Sequence, residues 1–437
     1  MSSTVRPSAC PGLQRIVQAR DGGICRIKLA GGAISAAQAN AVADSAQRYA
    51  RSVIEATNRA NLQIRGIANE QAALIDGLLA AGLGPANAAG DAVRNLMLSP
   101  SAGIDRQMLF DSRHLARQIL ATLQEQERFH DLSAKFAVQL DGGERLAMLE
   151  HPHDLWLSAV EGEGDQAQRL AFGLAGCPTD LPAGTVPLEQ GHALVVAVLD
   201  LFLELASPEH TRMRHLLADV PVDVFLSHLA ERVPFVPVAV WQRRSSSAAL
   251  HIGAHPQAQA GYVYIGAVPP LGRLNSAMLR GVARLTQEYG DATLRFTPWQ
   301  SLLLPNIRNE HADEVIRHLH ELGLVCETDQ ALSQMIACTG STGCGKGLAD
   351  TKGDAMQLAA LLQRHSEVLN VHLSGCPRSC AAAHSAPVTL LAVAPGHYDV
   401  YFRQAEQPGF GALQACNLTI EAVDALLDAR LRSPFDA

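Results

Sequence analysis

Short apolar alternations, glycine turns and one alanine-rich helical stretch open the chain. Gly22-Gly-Ile-Cys-Arg-Ile-Lys-Leu-Ala-Gly-Gly-Ala-Ile34 alternates as a strand does and runs into a double glycine. Ser35 stands where an N-cap belongs, before apolar residues at helical spacing as far as Tyr49. Further strands are expected near Ile54 and over 61–67. The same plan returns after residue 240. A strand at Gly261-Tyr-Val-Tyr-Ile-Gly-Ala-Val268 leads to a turn at Leu271-Gly-Arg-Leu274, a helix to Tyr289 and an extended region over 294–307.

Sliding the chain by 240 residues tests that likeness. Nine of the 36 positions from 32 to 67 are identical without a gap, among them Gly32/Gly272, Tyr49/Tyr289, Thr57/Thr297 and Ile67/Ile307. Glycine, tyrosine and threonine held in one register point to an internal duplication.

Between the copies, residues 76–235 are patterned mostly for amphipathic helices, at 113–126 and over 188–229 with breaks at Pro208 and Pro221. Residues 135–143 and 146–150 read as a strand, turn, strand hairpin. Proline, arginine and serine over 233–238 and 242–247 predict a linker. After Met335 the pattern predicts a helix near 354–364, a strand at 368–373, a hairpin over 387–402 and a closing helix at 419–432.

Composition narrows the class. With 437 residues, 48% hydrophobic and 18% charged, the chain is globular and long enough for several well-buried cores. A net charge of −8 gives no reason to expect nucleic acid, so an anionic ligand would need a local basic pocket. Nothing near Met1 resembles the apolar stretch of a secretory signal. The longest apolar run, 193–206, is short and interrupted by Asp200 and Glu204, so no membrane association is expected. Nine cysteines, an odd number, suit a reducing cytoplasm better than a disulfide framework. Cys10, Cys25, Cys177, Cys326 and Cys416 read as small buried residues or free thiols.

The other four cysteines form the pattern C-x5-C-x31-C-x3-C: Cys338, Cys344, Cys376 and Cys380. Two thiolate pairs suit a structural zinc or a cubane iron–sulfur cluster, and four unrelated buried cysteines are the bland alternative. The first pair is wide for zinc, which favours the [4Fe–4S] cluster. Gly340, Gly343, Gly345 and Gly347 let the backbone run close to an inorganic core and turn N–H groups towards it.

Duplication and cysteine pattern together resemble the sulfite and nitrite reductases. Arg26-Ile-Lys28-Leu-Ala-Gly-Gly32, Thr57-Asn-Arg59-Ala-Asn-Leu-Gln63, Val93-Arg94-Asn95 and Lys135-Phe136 resemble that family's tetrapyrrole-binding stretches. The resemblance implies an α/β (α+β) fold of two ferredoxin-like halves and two larger α/β halves. Its expected bounds are 1–75 and 245–330 for the ferredoxin-like halves. The pocket-bearing half would cover 76–235 and the cluster-bearing half 331–437. The two ferredoxin-like halves should pair about a pseudo-twofold axis.

The chain also departs from the reductases. They flank the counterpart of Lys135-Phe136 with further cations, whereas this chain has Ala134 and Ala137. Within the family the likeness is nearer to the precorrin-3B synthases, carried by Arg6-Pro-Ser-Ala-Cys-Pro-Gly-Leu13, Asn61–Ile67, Leu294-Arg-Phe-Thr-Pro-Trp299 and Leu373-Ser-Gly-Cys-Pro-Arg-Ser-Cys380. That likeness implies dioxygen-dependent hydroxylation and lactone formation on precorrin-3A in cobalamin biosynthesis. It also implies a [4Fe–4S] cluster, a mononuclear non-haem iron, NADH as ultimate reductant and an electron-donor protein. Other readings are a sirohaem-dependent sulfite or nitrite reductase and a non-catalytic tetrapyrrole or iron–sulfur sensor.

The implied substrate is a flat apolar ring edged with carboxylates. Arg26, Lys28, Arg59, Arg65, Arg94 and Lys135 form its expected cationic rim, with Gln63 beside them. No catalytic residue is singled out. Of seventeen histidines, His151-Pro-His153-Asp154 is the densest group, with His372 and His384 near the cysteines, and none completes a recognisable iron triad.

Overall fold

The 240-residue register holds strand by strand. Gly22–Ile27, Val53–Ala56 and Leu62–Ile67 have counterparts at Tyr262–Ala267, Thr293–Phe296 and Leu302–Arg308. The helices Ala36–Tyr49 and Ser276–Tyr289 match residue for residue. This computed structural model describes residues 10–432 other than 86, 162–167, 366, 368, 385, 405, 406 and 408. The opening Arg6–Ala9 of the N-terminal motif therefore lies outside the described residues.

Local chemistry starts both helices. Ser35 Oγ accepts the Gln38 N–H at 3.1 Å while the Gln38 side chain accepts the Ser35 N–H at 3.1 Å, a reciprocal cap. In the second copy Asn275 takes the place of Ser35 and accepts the Met278 N–H at 2.9 Å. The inward faces, including Ala39, Val42 and Ala43 from one helix and Leu279, Val282 and Ala283 from the other, share one apolar core.

Each small sheet has five strands, the fifth supplied by the other copy. Ala33–Ser35 pairs with Thr293–Phe296, and Arg273–Leu274 pairs with Val53–Ala56. The expected pairing of the two halves is thus made by reciprocal strand exchange. Arg280 on one helix bonds Asp44 and Gln47 on the other.

The larger sheets also repeat. Leu96–Leu98, Val138–Asp141, His153–Val160, Arg169–Gly176 and Gly184–Pro187 form one, and Met335–Ala337, Val371–Ser374, Val388–Ala394, His397–Phe402 and Ala412–Leu418 the other. In both, the first two ladders are parallel and the last two antiparallel. The fold is mixed α/β, as expected. No helix among the described residues is long and apolar enough to cross a membrane.

Two local expectations are overturned. Residues 146–150 form no strand; Val138–Asp141 pairs instead with His153–Val160, in parallel. The supposed linker is also anchored. Val236 bridges to Thr185, and Arg243 is buried with its guanidinium on both oxygens of Asp141, at 2.6 and 2.7 Å. Composition alone hid this, because a buried arginine and a solvated one have the same letter. Of the five remaining cysteines only Cys25 and Cys326 are buried; Cys10 and Cys177 are half-buried and Cys416 is exposed.

Candidate functional site

Strand pairing sets the first part of the site. Arg26 lies opposite Gln63 in the antiparallel ladder. With the Gln63 amide oxygen turned towards it, the Arg26 guanidinium donates bonds of 2.7 and 3.1 Å. Burial pushes the Arg26 pKa down, while the thiols of Cys10 and Cys380 oppose that shift. Arg26 from the first copy therefore sits within electrostatic reach of a cysteine from the second.

The turn 57–61 presents Arg59. Thr57 Oγ1 accepts the N–H groups of Arg59 and Asn61, and Asn61 Oδ1 accepts the Leu29 N–H at 2.8 Å, tying the turn to the strand end. Among the described residues the Arg59 guanidinium has neither a hydrogen bond nor an ion pair. Burial and the nearby Arg212 push its pKa down to about 10, against the pull of Asp154, with Arg26 adding a further like charge. An unpaired guanidinium held in this way is ready for an anion.

The other expected rim residues are placed differently. Lys28 is buried, donates to the Ala92 carbonyl at 2.5 Å, and has its pKa pushed down to about 7, first by burial. Arg94 bonds Asp91 at 3.0 Å and the Leu83 carbonyl at 3.2 Å. Arg65 bonds both oxygens of Asp21, at 2.9 and 3.0 Å, and reaches the Gly343 carbonyl at 3.3 Å. Lys135 is exposed. Arg59, Arg26 and Gln63 lie together, Lys28 lies beside Arg26 with its ammonium on the Ala92 carbonyl, and Arg65 and Arg94 are committed to carboxylates of the protein.

That commitment serves the cysteine loop. Arg65 and the Arg20 N–H both bond the Gly343 carbonyl, the Arg20 side chain bonds the Ser341 carbonyl at 3.1 Å, and Thr339 donates to Glu55 at 3.2 Å. Burial would raise the Glu55 pKa, but Lys352, Arg65 and Arg273 around it hold it below its ordinary value. This ionic hub, absent from the expected site, fixes the second copy's sulfur loop against the first copy.

Within the loop, Gly340 adopts φ of +69°, and a Cβ there would meet the Ala349 carbonyl oxygen at 2.7 Å, so only glycine fits. The expectation that loop glycines aim their N–H groups at a cluster is met differently. The Gly343 and Gly347 N–H groups bond within the loop, and it is Gly375 N–H that donates to Cys338 Sγ, at 3.2 Å.

The four thiols belong to one electrostatic group. Burial raises the Cys380 pKa, and Cys376, Cys338 and Cys344 each raise it further. Among the described residues no three His, Cys, Asp or Glu groups converge as around a single ion. Four thiols close enough to act on one another, in the C-x5-C and C-x3-C spacing, suit a shared polynuclear core. Lys352 beside Cys338 and Arg26 beside Cys380 offset the charge of thiolates.

Below Arg59 lies a second group. Asp154 is buried and accepts from Arg212, from Met213 N–H and, at 2.8 Å, from Ala137 N–H. His151 and His153 are buried, and burial holds both pKa values well below the ordinary range. Among the described residues, His151 Nδ1, His153 Nε2 and His372 Nε2 are buried without a hydrogen-bond partner.

The duplication supplies its own control. At a spacing of 240, Arg26, Arg59 and Gln63 correspond to Gly266, Trp299 and Leu303. There Ile104, Leu146, Tyr264 and Leu303 close into an apolar cluster with Leu250 and Trp299 packed on it. One inter-copy face is polar and sulfur-bearing; its mirror is filled with side chains.

Comparison with known proteins agrees with this architecture. The nitrite/sulfite reductase ferredoxin-like half domain matches residues 17–82 and 255–322, and the nitrite and sulphite reductase 4Fe-4S domain matches 89–236. A chloroplastic ferredoxin–nitrite reductase of Zea mays is 31% identical over 83% of this chain and 68% of its own length. The chain spans about two thirds of such plant relatives, 65% for that of Oryza sativa subsp. japonica. A precorrin-3B synthase of Sinorhizobium sp. is 27% identical over 90% of this chain and 83% of its own length. The structure of Mycobacterium tuberculosis NirA protein shares the fold, with a TM-score of 0.78 at 22% identity over 95% of this chain and 82% of that one. The ferredoxin-like half domain matched in both copies, the 4Fe-4S domain matched in the first, and the maize relative make the chain a member of the nitrite and sulfite reductase family of oxidoreductases.

Proposed function

We propose that the chain is a precorrin-3B synthase, a monooxygenase that hydroxylates precorrin-3A with dioxygen and closes a lactone from a ring acetate. The observation that carries this reading is the environment of Ala137. Where the reductases are expected to place cations around a small oxyanion, Ala134 and Ala137 stand, and the Ala137 N–H is held by the carboxylate of Asp154. Two alanines supply no side-chain cation there, so a small oxyanion finds less stabilisation than those cations would give it. The relative named precorrin-3B synthase supports the same reading, since its match covers more of both chains than the maize match does.

In this reading the ring lies between the copies with its carboxylates on Arg59, Arg26 and Lys28, Gln63 beside them and Lys135 at the open edge. Arg65 and Arg94 act at one remove, holding the loops that carry the site. The four halves have the bounds 1–75, 76–235, 245–330 and 331–437. Cys338, Cys344, Cys376 and Cys380 hold a [4Fe–4S] cluster, which supplies electrons drawn ultimately from NADH through a donor protein. For a mononuclear iron, no three suitable ligand groups converge among the described residues, and no step is assigned to it.

The second reading, a sirohaem-dependent reductase, is favoured by the higher identity to the maize nitrite reductase. Anaerobic purification separates the two. A broad visible shoulder without extractable haem, together with dioxygen uptake that depends on precorrin-3A, supports the synthase. Extractable sirohaem and donor oxidation driven by nitrite would overturn it.

A further inference from the structure

Two imidazoles from opposite copies meet beside the site. His151 Nε2 lies 2.9 Å from His384 Nδ1, across 233 residues of sequence. His151 is 0% exposed, and its far nitrogen, Nδ1, has no partner among the described residues. Arg59 and His153 are its charged or titratable neighbours on the inner side. His384 is half-buried, with His372 on one side and Glu150 and Arg403 on the other. Glu150 and Arg403 pair at 2.7 Å and are each 45% exposed, so this end of the contact opens to water.

We propose that His384 and His151 form a proton relay from the exposed Glu150–Arg403 edge to the pocket beside Arg59. The proposal rests on the hydroxylation reading and supplies what that reaction lacks. One oxygen atom of dioxygen enters the substrate as hydroxyl and the other leaves as water, using two electrons from the donor and two protons. Electrons arrive from the sulfur side. Of the cations gathered at the pocket, Arg26, Arg59 and Arg212 do not release protons near neutrality; Lys28 can, but it is buried on the Ala92 carbonyl, so repeated turnover still needs a path that brings protons in from water. A neutral imidazole has one donor and one acceptor nitrogen, so it passes a proton through without storing charge. A proton arriving on His384 Nε2 lets the Nδ1 proton move to His151 Nε2, and His151 then gives up its Nδ1 proton inward. Burial keeps both rings neutral at rest, which the relay needs. The 2.9 Å contact engages one nitrogen of each ring in a hydrogen bond and leaves the other nitrogen of each to pass a proton on.

The test uses full-length protein with its cluster and the variants His384→Ala and His384→Gln. Dioxygen uptake with precorrin-3A, its solvent deuterium isotope effect and the substrate Kd are measured together. Both variants are expected to slow turnover at least about tenfold and enlarge the isotope effect, with Kd within about twofold of the parent. Added imidazole should restore rate to His384→Ala. A parental rate in His384→Gln, which keeps a hydrogen bond but cannot shuttle a proton, would overturn the relay. Loss of rate in step with loss of binding, without imidazole rescue, would also overturn it and make the contact structural. If the parent protein reduces nitrite but ignores precorrin-3A, the hydroxylation reading fails alone. The same variants then decide the relay on nitrite reduction, which also consumes protons. A parent active on neither substrate overturns both.

Discussion

Replacing Arg59 with alanine separates substrate recognition from folding, because this guanidinium is strained in the free protein. Its pKa lies at about 10 against an ordinary 12.5, driven by burial and by Arg212, with Arg26 contributing. At 1.36 kcal/mol per unit, that shift is on the order of 3 kcal/mol borne by the charged form. A ligand carboxylate would relieve it. Arg59→Ala is therefore expected to leave the melting temperature unchanged or slightly raised. It should weaken a carboxylated tetrapyrrole by about 2–5 kcal/mol, at least roughly 30-fold in Kd. The assay is titration of precorrin-3A, or a stable polycarboxylate porphyrinoid, with cluster absorbance followed in parallel. An unchanged Kd, or a fall in stability matching the loss of binding, would refute the reasoning. Arg94→Ala is no substitute. Asp91, its partner, is 2% exposed and would keep the Leu13 N–H and the nearby Lys28, so losing Arg94 should lower stability by about 1–3 kcal/mol whatever happens to binding.

Serine at Cys338, Cys344, Cys376 or Cys380 should each abolish the cluster, whereas serine at Cys25 or Cys416 should not; iron and sulfide analysis decides, and full retention in the first four would remove the cluster from the account. Lys28 makes binding pH-dependent. Its folded pKa of about 7 lies below the ordinary 10.5, so the unfolded chain binds more protons between these values and stability rises with pH across that window. A bound polyanion raises the Lys28 pKa again. Calorimetry in buffers of different ionisation heat near pH 8 should therefore show net proton uptake that Lys28→Met removes; no uptake by the parent protein contradicts the placement. Arg243→Ala should destabilise by about 3–5 kcal/mol through the stranded Asp141, measured by denaturant titration; a change under about 0.5 kcal/mol would return residues 242–247 to the status of a linker.

Much of the fold was legible because both copies keep one ungapped register from Gly32/Gly272 to Ile67/Ile307. Strand exchange was not. Ala33–Ser35 and Arg273–Leu274 are two or three residues long, too short to carry a period, and only pairing across copies makes them strands. At the site, residue types were readable and their partners were not. Asp91 lies one helical turn before Arg94 and was an available sign of an ion pair. Asp21, the partner of Arg65, lies 44 residues away and meets it only across the sheet. Glu55 and Arg20 were missed as anchors of the sulfur loop because their partners, Thr339, Ser341 and Gly343, belong to the other copy. Among the described residues Arg59 is the inward-placed rim cation whose guanidinium has no protein partner, which only the assembled structure reveals.

Isotopic labelling tests the central claim most directly. Purified protein with reductant and precorrin-3A is exposed to oxygen-18 gas, and the product is weighed by mass spectrometry. Hydroxylation by this chain places one labelled atom in the tetrapyrrole and the other in water. A tetrapyrrole without label, from a sample that meanwhile converts nitrite to ammonium, would contradict the account and make the chain a reductase.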